Sequence, residues 1–254
     1  CMTKIRVKGS YSIEHGVNVA ILLANLASRL DMTALEVQEL ALVGFLYDIG
    51  KTKVPDEILH KAGRLSDQEM VVMRNHVHAG ITILQDMAMP EHLIKTVSEH
   101  HEHLDGHGYP KGLRGDEISI CGRMLGIVDS YDAITADRGY KAAVVSQKAL
   151  QILHAQAPQK YDPHLIQQFV RSIGVYPVGS LVKLSSEKIA MVIKIQPSHL
   201  LKPVVKVFYS VRSKHYLSPV MLDLQKSQHC IKKAVLADEF NLDFNRYFNE
   251  YIVL

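Results

Sequence analysis

The stretch His100-His101-Glu102-His103-Leu104-Asp105-Gly106-His107-Gly108-Tyr109-Pro110 gathers four of the chain's 14 histidines. Neutral imidazole is the commonest protein metal ligand, and hard divalent ions recruit carboxylates beside it. Two adjacent histidines running into a turn with glycine at 106 and 108 are poor material for an apolar core. The stretch therefore predicts a fold organised around a metal site, of which His100 and His101 supply half. The remaining ligands have to come from other segments.

Those segments read as helices. Residues 12–30 repeat Ile13, Val17, Ala20, Ile21, Ala24, Ala27 and Leu30 at helical spacing, with Ser12 as a possible cap and His15 in the first turn. Taken alone, His15 is a surface histidine near a helix start. Residues 33–47 form a second helix, opened by a Thr33/Glu36 capping box and running into Tyr47-Asp48-Ile49-Gly50-Lys51. Asp48 follows Val43-Gly44-Phe45-Leu46-Tyr47, so it is buried and needs a cation or several donors. A plain Asp48–Lys51 pair at a helix end is the simpler alternative.

A short helix at 55–60 follows Pro55. A Ser66/Glu69 capping box opens a helix to Met87 with Met70, Met73, Val77, Ile81 and Leu84 inward. It carries His76 and His78, only one of which can share a direction with the core. A helix over 90–103 ends on His100 and His101, where one histidine could serve the helix dipole but an adjacent pair is not explained that way. The helix over 119–136 has Ile120, Met124, Ile127, Val128, Tyr131 and Ile134 on its apolar face. Asp129 lies among buried neighbours, and Asp132 reads as a solvated flank. Helices from Ser146 to Ala157 and from Asp162-Pro163 to Ile173 complete an all-helical region.

After Gly174 the texture changes. The segments 181–184, 189–195, 204–209 and 216–218 are β-branched and broken by Pro and Ser, which predicts a small twisted sheet or barrel. Residues 238–251 look like a closing helix. The expected architecture is mainly α, a helical bundle around a metal site over residues 1–174, followed by a small β-rich C-terminal module over 175–254. That module carries no catalytic constellation. It reads as a structural or interaction module, with Lys202, Lys206, Arg212 and Lys214 on a solvated face.

Composition excludes several classes. The 254 residues are 47% hydrophobic and 22% charged, as in ordinary globular proteins. A net charge of +3 suits a small phosphate-bearing ligand and is too weak to argue for duplex nucleic acid. Three scattered cysteines suggest neither a disulfide framework nor a thiolate zinc site, and a reducing cytoplasm fits them. No apolar run approaches the ~18 residues of a membrane span, and no signal peptide is visible. The chain opens on Cys1-Met2, as an excised piece of a longer protein would.

His15, Asp48, His76, His100, His101 and Asp129 thus sit on different helices or helix ends, which is how bundles build metal sites. One carboxylate and three imidazoles satisfy one ion, and the extra His and Asp allow a second. Two ions ~3.5–4 Å apart clamp a phosphoryl group and generate hydroxide at neutral pH, and Lys51 becomes a phosphate contact.

The segments Asp48-Ile49-Gly50-Lys51, His100-His101-Glu102, Asp105-Gly106-His107-Gly108-Tyr109-Pro110 and Asp129-Ser130-Tyr131-Asp132-Ala133 resemble, in order and spacing, the HD-GYP family of bacterial metal-dependent phosphodiesterases that hydrolyse cyclic di-GMP. The resemblance covers about residues 10–172. It implies an HD-type helical fold with a two- or three-metal site, often iron or manganese, and in-line attack of hydroxide on phosphorus to give the linear dinucleotide or GMP. By the family's pattern, His15, Asp48, His76, His100, His101 and Asp129 are metal ligands, with Asp48 bridging. Asp48 and Lys51 are catalytic. Lys51, Gly108, Tyr109, Pro110, Arg138 and Lys141 meet the substrate, and Glu102 and His103 are bystanders or outer supports.

Two positions depart from the family. Tyr47 stands where a histidine precedes the bridging Asp, and Tyr11 stands where three-metal members have Glu. Tyrosine titrates near 10 and binds divalent ions poorly. One site, Asp48 with His76, His100 and His101, is complete, whereas the other, drawing on His15, Asp48 and Asp129, has lost an imidazole. The expectation is one well-held ion with the second weak or absent. Three functions follow: a cyclic di-GMP phosphodiesterase with altered metal use, a cyclic di-GMP-binding sensor or scaffold without turnover, or a hydrolase of another nucleotide, against which the intact Gly-Tyr-Pro turn speaks. Family habit adds a homodimer and contacts with diguanylate cyclase domains.

Overall fold

The computed structural model describes residues 11–61, 63–136 and 144–242. They fall into two compact units, one drawn from residues 2–142 and 151–169, the other from 143–150 and 170–254. Among the described residues, no helix is long and apolar enough to cross a membrane.

The first unit is helical. α1 (Tyr11–Arg29) and α2 (Ala34–Leu46) are joined by a short turn through Asp31, and both sides of the Thr33/Glu36 capping box form. Then come a 3-10 turn (Ile49–Lys53), α3 (Asp56–Leu59), α4 (Asp67–Arg74), α5 (His76–Asp86), α6 (Glu91–Glu99), a second 3-10 turn (Gly115–Glu117) and α7 (Ile120–Thr135). α8 (Ser146–Ala155) and α9 (Pro163–Ile173) each give residues to both units. α1 packs on α2 and α7, α6 packs on α2, α5 and α7, and the first 3-10 turn packs on α5. Leu23 and Leu26 of α1 and Met124, Leu125 and Ile127 of α7 are fully buried. At about 1.5–3 kcal/mol for each large apolar side chain, this interior holds the ligand-bearing helix ends in place.

The helix expected over 66–87 is two helices. It breaks at Asn75, where the Met73 carbonyl accepts a hydrogen bond from the His76 ring at 2.7 Å. The break leaves Met70 38% exposed rather than inward, and it buries His76 while His78 stays exposed. The helix expected over 90–103 stops at Glu99, with His100 as its cap. Ile120, expected on the apolar face of α7, is 52% exposed at its first turn.

One glycine fixes the relation between the 3-10 turn and α5. The Gly50 backbone lies so close to the His76 carbonyl oxygen and the Gly80 amide that a Cβ would overlap both. Gly50→Ala is therefore expected to push the turn carrying Lys51 away from α5. Overpacking of this kind costs about 1–3 kcal/mol, measured by chemical denaturation. Unchanged stability would show that the two segments separate without cost.

The second unit holds a five-stranded antiparallel sheet: β1 (Leu181–Leu184), β2 (Lys188–Lys194), β3 (Val204–Ser210), β4 (His215–Asp223) and β5 (Ile231–Val235), in the order β4-β3-β2-β1-β5. Val182 pairs with Ala190, Val192 with Val205 and Val207 with Val220. Both faces are covered. Leu181, Ile189, Met191 and Phe208 belong to one apolar cluster, and Val182, Ala190, Val192 and Val205 to the other. This is why β2 reads as a continuous apolar run instead of an alternation. β5 escapes a sequence reading because Lys232 and Lys233 interrupt it. β4 extends beyond the expected 216–218 and tolerates Pro219 because it is an edge strand. Lys202, Arg212 and Lys214 are exposed as expected, whereas Lys206 is half-buried. Of the expected helix over 238–251, the described part is a 3-10 turn (Ala237–Phe240) ending at Asn241 with φ 49°; the rest lies outside the described residues.

Candidate metal centre

Five helix ends or helix faces meet at the site. α1 brings His15, the end of α2 brings Tyr47 and Asp48, the α4–α5 break brings His76, the end of α6 brings His100 and His101, and α7 brings Asp129 and Asp132. His15, His76 and His100 are 4%, 2% and 3% exposed, too buried for surface histidines. The ligand-capable atoms form two groups, His76 with His100 and His101, and His15 with Asp48 and Asp129. Within each group they lie within 4.8 Å of one another.

The first group is prepared for a cation. His76 donates from Nδ1 to the Met73 carbonyl at 2.7 Å, and His100 donates from Nδ1 to the Val97 carbonyl at 2.5 Å. Each bond places the proton on Nδ1 and leaves a lone pair on Nε2, the tautomer a metal ligand needs. Those two Nε2 atoms and Asp48 Oδ1 are buried without a hydrogen-bond partner, a costly state for polar atoms. Asp48 Oδ1 lies 3.4 Å from His76 Nε2. A divalent ion would satisfy all three atoms at once, and three imidazoles with one carboxylate suit a first-row transition metal. Burial, only partly offset by the Asp48 charge, pulls His76 down to about 4. Burial, reinforced by His100, holds His101 well below its ordinary value. Both rings are neutral at pH 7. Burial alone would raise Asp48, but the Lys51 ammonium together with His100 and His76 outweighs it and brings the carboxyl to about 2. Lys51 Nζ lies 2.5 Å from Asp48 Oδ2.

The second group is already hydrogen-bonded. The Tyr47 side chain is fully buried. Its hydroxyl donates to Asp129 Oδ1 at 2.7 Å and lies 2.6 Å from His15 Nε2. His15 Nε2 is also 3.1 Å from Asp129 Oδ1, and His15 Nδ1 is 2.7 Å from Asp132 Oδ2. With the phenol proton given to Asp129, both His15 nitrogens act as donors. Burial works against a charged His15, yet the hydrogen bonds to Asp129 and Asp132 outweigh it and raise the imidazole to about 9. Burial, then the charges of Asp129 and Asp48, push the Tyr47 phenol well above its ordinary range, so it stays a neutral phenol. Asp132, expected to be a solvated flank, is 6% exposed because it serves His15. Its position one helical turn after Asp129, on the same face, is the signal that could have found it.

The Gly-Tyr-Pro turn is held from beneath by Glu102, whose carboxylate accepts from the Lys111 amide at 2.7 Å and the Leu113 amide at 2.9 Å. Glu102 is 6% exposed and is the anchor of the loop, more than a bystander. Gly108 lies too close to the backbone of Glu102 and His103 for any side chain. The Tyr109 amide donates to the His101 carbonyl at 3.1 Å, and the Tyr109–Pro110 peptide is cis. The Tyr109 ring lies 4.6 Å from the His101 ring at 31°. The Arg74 guanidinium carbon is 4.8 Å from the Tyr109 centroid, a contact the sequence did not signal. Arg138 and Lys141 lie outside the described residues, as does the side chain of Tyr11.

An all-helical unit with imidazoles and carboxylates from separate helices converging on one point defines a class, and the family comparison agrees with it. Residues 3–165 match the HD domain model, and residues 181–242 match a KOW domain associated with HD domains. The chain belongs to the HD domain family. It is 38% identical over 227 residues to a cyclic di-GMP phosphodiesterase of Pseudomonas aeruginosa, covering 89% of this chain and 55% of that protein. It is 27% identical over 245 residues to the cyclic di-GMP phosphodiesterase PdeB of Borreliella burgdorferi, covering 95% and 64%. The chain thus spans a little over half to under two thirds of the length of these relatives. A solved HDG"Y"P protein from Bdellovibrio bacteriovorus has the same helical fold, with a TM-score of 0.53 at 24% identity over 62% of this chain and 51% of that one.

Proposed function

We propose that the chain is a metal-dependent phosphodiesterase acting on cyclic di-GMP, holding one ion firmly, iron or manganese, on Asp48, His76, His100 and His101. The observation that carries this is the convergence of three buried, unpartnered atoms, Asp48 Oδ1, His76 Nε2 and His100 Nε2. The substrate class is supported by the names of the two relatives above and by the Gly108-Tyr109-Pro110 turn beside His101. Residues 1–174 carry the chemistry, and 175–254 form a structural or interaction module. The free Cys121 and Cys230 suit a reducing cytoplasm.

When bound, a divalent ion supplies Lewis acidity toward a phosphoryl oxygen and lowers the pKa of water. The chain's own residues do the rest. Asp48 supplies the negative charge that holds the cation. Lys51, 2.5 Å from Asp48, is placed to share its ammonium with a phosphate oxygen. Tyr109, Gly108 and Pro110 form the platform beside the site, and Glu102 fixes that platform. Arg138 and Lys141 are the family's further basic contacts.

A second reading, a cyclic di-GMP sensor without turnover, is favoured by one observation. The Tyr47 hydroxyl satisfies His15 and Asp129, the residues a second ion would need. Two measurements separate the readings. Metal analysis of protein purified with iron or manganese present is expected to give one ion per chain; two stoichiometric ions would refute the one-ion claim. Incubation with cyclic di-GMP is expected to yield linear dinucleotide, with turnover lost in His101→Ala. Tight binding without product would replace the enzyme by the sensor.

A further inference from the structure

Outside the metal ligands, the strongest unassigned feature is an exposed arginine beside the site. α4 ends on Arg74, and the break at Asn75 that turns His76 inward leaves Arg74 at the exposed surface two residues earlier. Its guanidinium lies 4.8 Å from the Tyr109 ring, whose own neighbour at 4.6 Å is the His101 imidazole. Among the described residues, Arg74 has no carboxylate within 4.0 Å, whereas Lys51 is taken up by Asp48. A guanidinium lying on an aromatic ring loses much of its rotational freedom, and its planar edge still offers a fork of N–H donors that matches phosphate.

We propose that Arg74 is a phosphate clamp, binding the phosphodiester of a cyclic dinucleotide that is not being cleaved while the other lies at Asp48 and Lys51. The proposal rests on the phosphodiesterase reading above. A cyclic dinucleotide carries two phosphodiester anions. Among the described residues, Asp48, Lys51 and the three imidazoles are committed to one of them, and Arg74 is a cationic partner placed for the other.

The test compares cyclic di-GMP with bis(p-nitrophenyl) phosphate, which has a single phosphodiester. Wild type, Arg74→Ala and Arg74→Lys are assayed with both, alongside equilibrium binding of cyclic di-GMP and metal content. A charge-assisted contact contributes roughly ten- to hundredfold. Arg74→Ala is expected to weaken cyclic di-GMP binding and raise its KM by about that factor. The ratio of kcat/KM for cyclic di-GMP over the small substrate falls with it. Arg74→Lys, which keeps the charge and loses the fork, recovers part of the loss. Equal loss on both substrates, or loss of metal in Arg74→Ala, would make Arg74 a prop for Tyr109 and His101 and overturn the clamp. So would unchanged cyclic di-GMP binding. Wild-type protein that cleaves the small substrate but neither binds nor cleaves cyclic di-GMP would overturn the substrate reading and the clamp with it.

Discussion

Tyr47→His is expected to raise the metal content from one ion per chain to two. The phenol occupies the point between His15 Nε2 and Asp129 Oδ1, at 2.6 and 2.7 Å, and holds both in hydrogen bonds. Burial and two carboxylates push its pKa up, which holds it as a neutral phenol in the metal-free site. An imidazole in its place can present a lone pair, and His15, once freed from the phenol, can give up its second proton to do the same. Metal analysis after dialysis reads the outcome directly. Tyr47→Phe is the control. It removes the hydroxyl without adding a ligand, so it should gain no ion and should lose about 1–3 kcal/mol through the unpartnered groups it leaves behind. If Tyr47→His stays at one ion while folding normally, the hydrogen-bonded group is closed for a reason other than the phenol. Turnover of cyclic di-GMP should rise with the second ion, since two cations can share the charge of attacking and leaving oxygens.

Asp48→Ala is expected to empty the site and abolish turnover. Its Oδ1 faces His76 Nε2 at 3.4 Å, and its Oδ2 faces Lys51 at 2.5 Å and His15 Nε2 at 3.9 Å. It faces both ligand groups, His76 on one side and His15 on the other. Without it, three imidazoles remain with no carboxylate to hold the cation, and the Lys51 ammonium loses its partner. Rate losses on the order of a thousandfold or more are expected when the ion that activates the nucleophile is lost. The check is metal content together with product formation, with circular dichroism to show that the helices persist. Stoichiometric metal in Asp48→Ala would show that the trihistidine group binds on its own.

The contrast between the two ligand groups explains why the expected single ion belongs to one of them. A buried polar atom without a partner is costly, and a cation removes that cost. Asp48 Oδ1, His76 Nε2 and His100 Nε2 are in that state, whereas His15, Tyr47, Asp129 and Asp132 satisfy one another. The same logic separates Lys51 from Arg74. Lys51 spends its charge on Asp48 unless a phosphate competes for it. Arg74, stacked on Tyr109, has its charge available to an incoming anion.

Much of this was legible in the sequence. The helices carrying His15, Asp48, His76, His100 and Asp129 follow from apolar periodicity and from the Thr33 and Ser66 capping boxes, because both signals are local and act within one or two turns. The choice of His76 over His78 needed the break at Asn75, where the His76 ring bonds back to Met73. The roles of Asp132, Glu102 and Arg74 were not legible, since each is defined by a partner far away in the chain or across a turn: His15 for Asp132, the Lys111 and Leu113 amides for Glu102, and Tyr109 for Arg74. β5 was hidden by Lys232 and Lys233, because pairing with β1 overrides a weak local preference. By itself the sequence determined which residue types were available for metal chemistry and that a tyrosine, Tyr47, directly precedes Asp48. Only the tertiary structure decided which of those atoms are left without partners and which are locked in hydrogen bonds, because that depends on distances between helices that no spacing along the chain encodes.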